Sequence, residues 1–402
     1  MSAHLAREEK FTLDNGKLPK AYCVSRTLGK NVQSLRIQTT STRHDRTTTI
    51  PPTEPQPQST SSSPSPSPLP PYHPPTSGIL SYLPSPLIPY AELIRLDKPT
   101  GTIYLFFPCL FSTLLSASLT TPLTPPPLLL STSTLFLLGA LIMRSCGCTI
   151  NDLWDRNLDP HVARTRLRPI ARGAITPRAA LVFTAAQLLA GLGVLVSLPP
   201  ACFLYGVPSL LLVATYPLAK RVTHYPQVVL GLTFSWGAVM GFPALELDVL
   251  SDGGLMLAAG ALYMGNVAWT VGYDMIYAWM DVRDDRRAGI KSIALAHEGN
   301  TKVVLSGLAV VQVGLLGAAG YAVGLGPVFY ALSCGGAAGT LGAMIWRVRL
   351  RSVENCWWWF RWGGLFTGGA ISAGLLGEYC VRLREERRKQ EEDEPEHAAI
   401  TA

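Results

Sequence analysis

Charge is scarce in this chain. Its 402 residues are 48% hydrophobic and only 15% charged, against roughly a quarter charged in a soluble globular protein. That shortage argues against a soluble fold. No basic stripe with interleaved aromatics runs along the sequence, so the net charge of +7 points to no nucleic-acid partner. A cysteine framework is also missing. The eight cysteines are scattered, and Cys109, Cys146, Cys148, Cys202, Cys334 and Cys380 fall in apolar runs, where a thiol behaves as a small hydrophobe. Cys146 and Cys148 stand too close together for a zinc knuckle and lack a partner pair. No secretory signal peptide is read at the start, and no internal repeat stands out.

What the chain does have is apolar runs of roughly 18 to 22 residues, each long enough to cross a bilayer as a helix. Spans are expected near 93–119, 129–150, 179–198, 201–218, 227–245, 255–279, 303–323, 328–346 and 361–381. The expected fold is therefore all-α, a polytopic membrane protein with nine transmembrane helices. Residues 1–85 read as an N-terminal arm, 86–385 as the membrane domain and 386–402 as a charged tail. Within the arm, Pro51–Pro75 is too rich in Pro and Ser to bury a core and reads as an extended or disordered linker. Lys17–Arg43 carries basic and hydroxyl residues without an acid, as a mitochondrial transit peptide does. Glu8, Glu9 and Asp14 precede it and no amphipathic helix emerges, so targeting stays open.

Basic residues follow the even-numbered spans: Arg164–Arg178, Lys220 and Arg221, Arg283–Lys302, and Arg347–Arg351. Loops after spans 1, 3, 5 and 7 hold no Lys or Arg. The even loops and the N-terminus are then expected on the cytosolic or matrix face, with the C-terminus opposite. Arg95 and Lys98, in RLDKPTG, suit snorkelling at an interface, and the WWWFRW run (Trp357–Trp362) suits an aromatic belt.

Two acidic clusters end even-numbered spans. In NDLWDRNLDPHVARTRLRPIAR, Asp152, Asp155 and Asp159 recur at three and four, which places them on one face of a helix. Three neighbouring anions repel and need a cation. The plain alternative is a solvated helix end beside a basic loop. It weakens because YDMIYAWMDVRDDRRAGIKS repeats the pattern, with Asp274, Asp281 and Asp285 at seven and four and Asp284 one residue off the stripe. Asp274 lies within an apolar run, where an ionisable group suggests function. Facing carboxylate clusters suit Mg2+, which prefers oxygen ligands, keeps several waters and is often shared with substrate phosphates. Nearby Arg and Lys suit the remaining phosphate oxygens. Apolar helices suit a long hydrocarbon tail. The ligand these features imply is an amphiphilic diphosphate at a lipid bilayer. An ion-coupled transporter is the alternative from another class, but it would carry ionisable groups near the midplane.

NDLWDRNLDPHVARTRLRPIARG resembles the first signature, NDxxDxxxD followed by RTxxRP, of the UbiA superfamily of intramembrane prenyltransferases. YDMIYAWMDVRDDRRAGIKS is similar to the second signature, Thr215–Gly237 to the stretch between them, and Arg95–Ala117 to the first helix. The resemblance covers roughly residues 85–385. It implies a nine-helix bundle around a central cavity, and Mg2+-dependent transfer of a polyprenyl group from its diphosphate to an aromatic acceptor. It implies metal contacts through Asp152, Asp155, Asp159, Asp281 and Asp285, with Asp155 and Asp281 catalytic, and Asn151 beside them as a diphosphate or acceptor contact. Arg164, Arg168, Lys220, Arg221 and Lys291 are implied diphosphate or acceptor contacts. Asp274, Tyr273 and Tyr277 are candidates for stabilising the cation or orienting the acceptor, with helix packing as the plainer role of the tyrosines. Within the family, the wording of the first helix favours a fungal meroterpenoid enzyme of an endoplasmic reticulum or Golgi-type membrane, adding a farnesyl-type chain to a polyketide phenol. The N-terminal arm keeps a 4-hydroxybenzoate polyprenyltransferase of the mitochondrial inner membrane as the alternative.

Overall fold

The computed structural model describes residues 71–161, 165–289 and 291–400; side chains at 161, 217, 220, 221, 288 and 393–400 are left aside. The chain divides into Met1–Ser67 and Pro68–Ala402, and the described residues belong to the second unit.

Among the described residues every regular element is helical. In order they are α1 (Ile88–Leu93), α2 (Thr100–Ala117), α3 (Pro126–Asp155), α4 (Pro177–Val196), α5 (Ala201–Gly206), α6 (Ser209–Val222), α7 (Pro226–Phe234), α8 (Gly237–Ala244), α9 (Gly253–Ala278), α10 (Val282–Ala288), α11 (Ile293–Ala296), α12 (Thr301–Ala322), α13 (Pro327–Phe329), α14 (Gly335–Arg347) and α15 (Val353–Ile400). Local chemistry sets several boundaries. Proline opens α3, α4, α7 and α13, where a missing N–H costs nothing. Asp252 Oδ1 accepts from Gly254 N at 2.7 Å and Leu255 N at 3.0 Å and so caps α9. Gly289, at φ 67°, closes α10 in the left-handed conformation.

Among the described residues seven helical segments are long and apolar enough to cross a membrane by length and composition, with Pro226–Ala244 (α7 and α8) and Pro327–Arg347 (α13 to α14) each counted as one, and Ala201–Tyr216 is a shorter apolar stretch. The segment expected as one span over 201–218 is divided by Val207 and Pro208 into α5 and α6. The last expected span, 361–381, lies inside the 48-residue α15, which continues through the charged tail. Lipid-facing surface is rich in exposed apolar side chains such as Val182, Leu189, Leu204, Leu211 and Val310. Such continuous apolar surface suits acyl chains and would be a liability in water.

Helix α9 runs through the core. It packs against α7, α8, α12 and α15, while α2 packs on α8, α3 and α15. Tyr104, Phe107, Phe111, Trp269 and Tyr273 form one aromatic cluster between α2 and α9. Helix α15 approaches closely because Gly364 and Gly368 face Tyr104 and Phe107, and a Cβ at either would overlap those rings.

Residues ahead of α1 touch the membrane unit. Tyr72 Oη donates to Glu92 Oε1 at 2.9 Å, the Arg172 guanidinium lies 3.8 Å from the Tyr72 ring centroid, and Leu80 is buried. Tyr72 and Leu80 thus contact the membrane unit, while Ile79 and Tyr82 are exposed.

Candidate active site

A cavity of about 1350 Å³ lies where α3 ends and α9 gives way to α10. Both acidic clusters reach it. Asn151 and Asp152 line one side; Asp274, Asp281 and Asp284 line the other.

The first wall is held by two arginines. Asp152 is 0% exposed. Arg95 grips it with Nη2 at 2.8 and 2.9 Å from its two oxygens, and Arg168 Nη1 lies 3.1 Å away. The same Arg168 Nη1 donates to Asp159 at 3.0 and 3.2 Å. One guanidinium therefore ties together two of the three anions expected on this face. Burial pushes the Asp159 carboxyl above its ordinary range, Arg168 pulls it back, and Asp152 and Asp155 add upward pressure. The face is not one continuous helix: α3 stops at Asp155 and Asp159 opens a separate 3-10 turn, Asp159–His161. Asp155 is 2% exposed, and neither it nor Asp159 lines the cavity.

Arg95 corrects the expectation of a snorkelling side chain. It points inward, and its backbone sits at φ 59°, a left-handed conformation unusual for a residue with a Cβ. Its Nη1 also donates to Glu92 O at 2.8 Å and Leu93 O at 3.3 Å. Arg172 is fixed as well, to Glu92 Oε2 and Leu167 O, each at 2.6 Å. Lys98 lines the cavity beside Asp97, 2.8 Å from its carboxylate.

On the second wall the expected stripe is broken. Helix α9 ends at Ala278 and Asp281 immediately precedes α10, so the helical phase resets between Asp274 and Asp285. As a result Asp284, the off-stripe residue, lines the cavity with Asp274 and Asp281, and Asp285 does not. Between the walls stands an aromatic face. Tyr104 and Tyr273 stack at 3.8 Å, Tyr277 lies 4.7 Å from Phe360, and Tyr104 Oη donates to Phe360 O at 2.6 Å.

No three of the described His, Cys, Asp or Glu residues are gathered closely enough to hold a metal unaided. What the two acidic motifs bring to the cavity is a set of oxygen donors: Asn151, Asp152, Asp274, Asp281 and Asp284. That set fits a hard divalent cation that brings waters and phosphate oxygens of its own.

Residues 105–368 match the model of the UbiA prenyltransferase family. The chain belongs to that family. It is an aromatic prenyltransferase and an integral, multi-pass membrane protein. It is 46% identical over 294 residues to the mitochondrial 4-hydroxybenzoate polyprenyltransferase of Schizosaccharomyces pombe, covering 73% of this chain and 80% of that protein. Against the Saccharomyces cerevisiae protein of the same name it is 44% identical over 307 residues, covering 76% and 80%. Among solved structures, an apo UbiA homologue from Aeropyrum pernix K1 superposes with a TM-score of 0.56 at 23% identity, covering 68% of this chain and 97% of that one. A UbiA homologue from Archaeoglobus fulgidus bound to GPP and Mg2+ gives 0.52 at 17% identity, covering 72% and 99%. Those two likenesses establish the fold.

The cavity also contains residues that sequence reasoning passed over. Arg144 lies inside the apolar run of α3 yet lines the cavity; its Nη1 contacts Cys148 Sγ, and its buried Nε has no partner among the described residues. Gly101 makes room for it, since a Cβ there would overlap the guanidinium. The signal was present, because a lone charge in an apolar span marks function. Trp357 and Phe360 line the cavity too, so the WWWFRW run is not wholly a lipid-facing belt. Tyr273 and Tyr277, the two tyrosines singled out in the second motif, both line it. Lys291 is exposed and does not. Tyr225, just ahead of α7, hydrogen-bonds His297 at 3.3 Å. Arg164 lies outside the described residues, as do the side chains of Lys220 and Arg221.

Proposed function

We propose that this chain transfers a polyprenyl group from its diphosphate to the ring of 4-hydroxybenzoate, in a mitochondrial membrane. The observation that carries this reading is the 46% and 44% identity to the two yeast proteins of that activity, sustained over most of both partners. It reverses the order of the two alternatives drawn from the wording of the first helix. The meroterpenoid assignment and its endoplasmic reticulum or Golgi-type membrane become secondary, and the basic, acid-free Lys17–Arg43 stretch becomes a transit segment.

The donor's diphosphate is placed at the polar end of the cavity. The A. fulgidus homologue with GPP and Mg2+ supports a prenyl diphosphate and that metal here. Asn151 and Asp152 on one wall and Asp281 and Asp284 on the other are the proposed metal-facing donors. Asp159 acts through Arg168. Asp155 and Asp285 stay in the proposed ligand set on the strength of the family motif alone. The chemistry that a bound Mg2+ supplies is neutralisation of charge on the leaving diphosphate. Lys98 and Arg168 line the same end and add positive charge for phosphate oxygens.

Transfer requires the allylic C–O bond to break with its electron pair leaving on the diphosphate. The faces of Tyr104 and Tyr273 offer the resulting allylic cation a π surface, and the apolar side chains of Leu230, Phe234 and Met280 shield it from water. A ring carbon beside the phenol hydroxyl then forms the new C–C bond and releases its proton, for which Asp274 is the carboxylate of the same cavity. Arg144 is the group suited to the acceptor carboxylate, a half-buried cation whose buried Nε has donor capacity to spare.

The test is a membrane assay with Mg2+, farnesyl or longer prenyl diphosphates, and either 4-hydroxybenzoate or an orsellinate-type phenol. Transfer of long chains to 4-hydroxybenzoate is the expected result. Transfer of a short chain to the polyketide phenol alone would restore the meroterpenoid assignment.

A further inference from the structure

A second hollow, of about 770 Å³, lies on the other side of the first turns of α15. Helix α15 shows Trp357 and Phe360 to the catalytic cavity and Trp358 and Trp359 to this hollow. Its remaining wall is cationic: Lys302 at the start of α12, Arg347 at the end of α14, and Arg349 in the connection to α15. None of the three is in an ion pair among the described residues. The nearest carboxylates in sequence do not line the hollow: Glu298 pairs with Arg286, and Glu354 accepts from Ser352 Oγ at 2.9 Å. With no carboxylate in its wall, the hollow has no place for a metal-borne diphosphate of the catalytic kind.

The cations are held in place by backbone contacts rather than by partners of their own. Asn355 Oδ1 accepts from Arg349 N at 2.6 Å, and Cys356 Sγ donates to Leu350 O at 3.5 Å. Lys302 Nζ donates to Trp346 O at 3.1 Å. The position is that of a membrane interface. Trp346 is 76% exposed beside Arg347, Trp358 packs near exposed Phe366, and Val303 on α12 is exposed next to Lys302. Indole rings settle at the headgroup level, and apolar side chains beyond them meet acyl chains. A basic pocket between transmembrane helices, on the face rich in Lys and Arg, matches the chemistry of an anionic phospholipid headgroup.

We propose that the hollow bounded by Lys302, Arg347, Arg349, Trp346 and Trp358 binds the phosphate of an anionic phospholipid, the acyl chains lying along α12 and α14. The bound lipid braces the start of α15, one face of which is wall to the catalytic cavity.

The test uses the full chain in phosphatidylcholine nanodiscs into which cardiolipin or phosphatidylglycerol is titrated, with thermal unfolding and native mass spectrometry as readouts. The wild-type protein is expected to retain anionic lipid and unfold at higher temperature as it is added. Arg347→Gln/Arg349→Gln, and independently Lys302→Gln, are expected to need roughly tenfold more anionic lipid or greater for the same response. In phosphatidylcholine alone these variants should match the wild type in unfolding temperature and prenyl transfer, which separates lost binding from misfolding. Equal titrations for wild type and variants would overturn the proposal. So would an unfolding shift reproduced by inorganic phosphate without anionic lipid, which would make the hollow a free-phosphate site.

Discussion

The bundle buries charge at both ends, and the two ends treat it differently. Away from the cavity, Glu378 on α15 is 4% exposed and spends its carboxylate on Gly326 N at 2.7 Å and Arg382 Nε at 3.1 Å. Arg382 also donates to Ser118 O and Gly324 O, and Tyr379 Oη donates to Thr124 O. These contacts tie together the two loops at that end, and none of Glu378, Tyr379 and Arg382 lines the cavity of the acidic clusters. At the other end Asp152, Asp274, Asp281 and Asp284 reach a space of about 1350 Å³, and Arg95, Arg168 and Arg172 fix its first wall and rim without filling it. A buried ion pair is weak evidence for stability by itself. The comparison shows what separates a clamp from a site: the clamp satisfies its polar groups within the fold, whereas the site holds carboxylates in position toward a cavity.

The sharpest break in that comparison is Asp152→Asn, which keeps shape and removes charge. Prenyl transfer is expected to fall by roughly 10²–10³, as when a single transition-state electrostatic contact is lost, with membrane protein level near wild type by immunoblot. Next, Arg168→Gln severs the bridge between Asp152 and Asp159. A charge-assisted hydrogen bond contributes about 1.5–3 kcal/mol, so kcat/KM should drop roughly 10- to 150-fold. Arg144→Leu should raise KM for 4-hydroxybenzoate by roughly tenfold or more, while affinity for the prenyl diphosphate, measured by equilibrium binding, stays unchanged. The smallest effect is at the clamp. Glu378→Gln should lower stability by about 1–3 kcal/mol, seen as earlier thermal unfolding in detergent, with KM and kcat intact. A loss of activity larger than the loss of stability there would erase the distinction between the ends.

Much of this was legible in the sequence. Apolar runs gave an all-helical membrane protein, and the paired motifs gave the family and placed both acidic clusters on one side. What was not legible depends on contacts between distant segments. Arg95 and Asp152 are 57 residues apart, so local pattern reads Arg95 as an interfacial side chain. Helical spacing presumes an unbroken helix, and the interruption after Ala278 exchanges Asp285 for Asp284 at the cavity. The tryptophan run reads as a belt because sequence does not show that α15 stands between two hollows. Arg144 was visible as a lone charge in an apolar span, and the two motifs drew attention away from it.

The most direct test of the central claim, that the two acidic walls form one diphosphate site, is a double-mutant cycle. Binding of a prenyl diphosphate with Mg2+ would be measured for Asp152→Asn, Asp281→Asn and the pair. If the walls act together, the pair should lose little more affinity than either single change. Losses that add in full, or wild-type affinity in either single variant, would contradict a shared site.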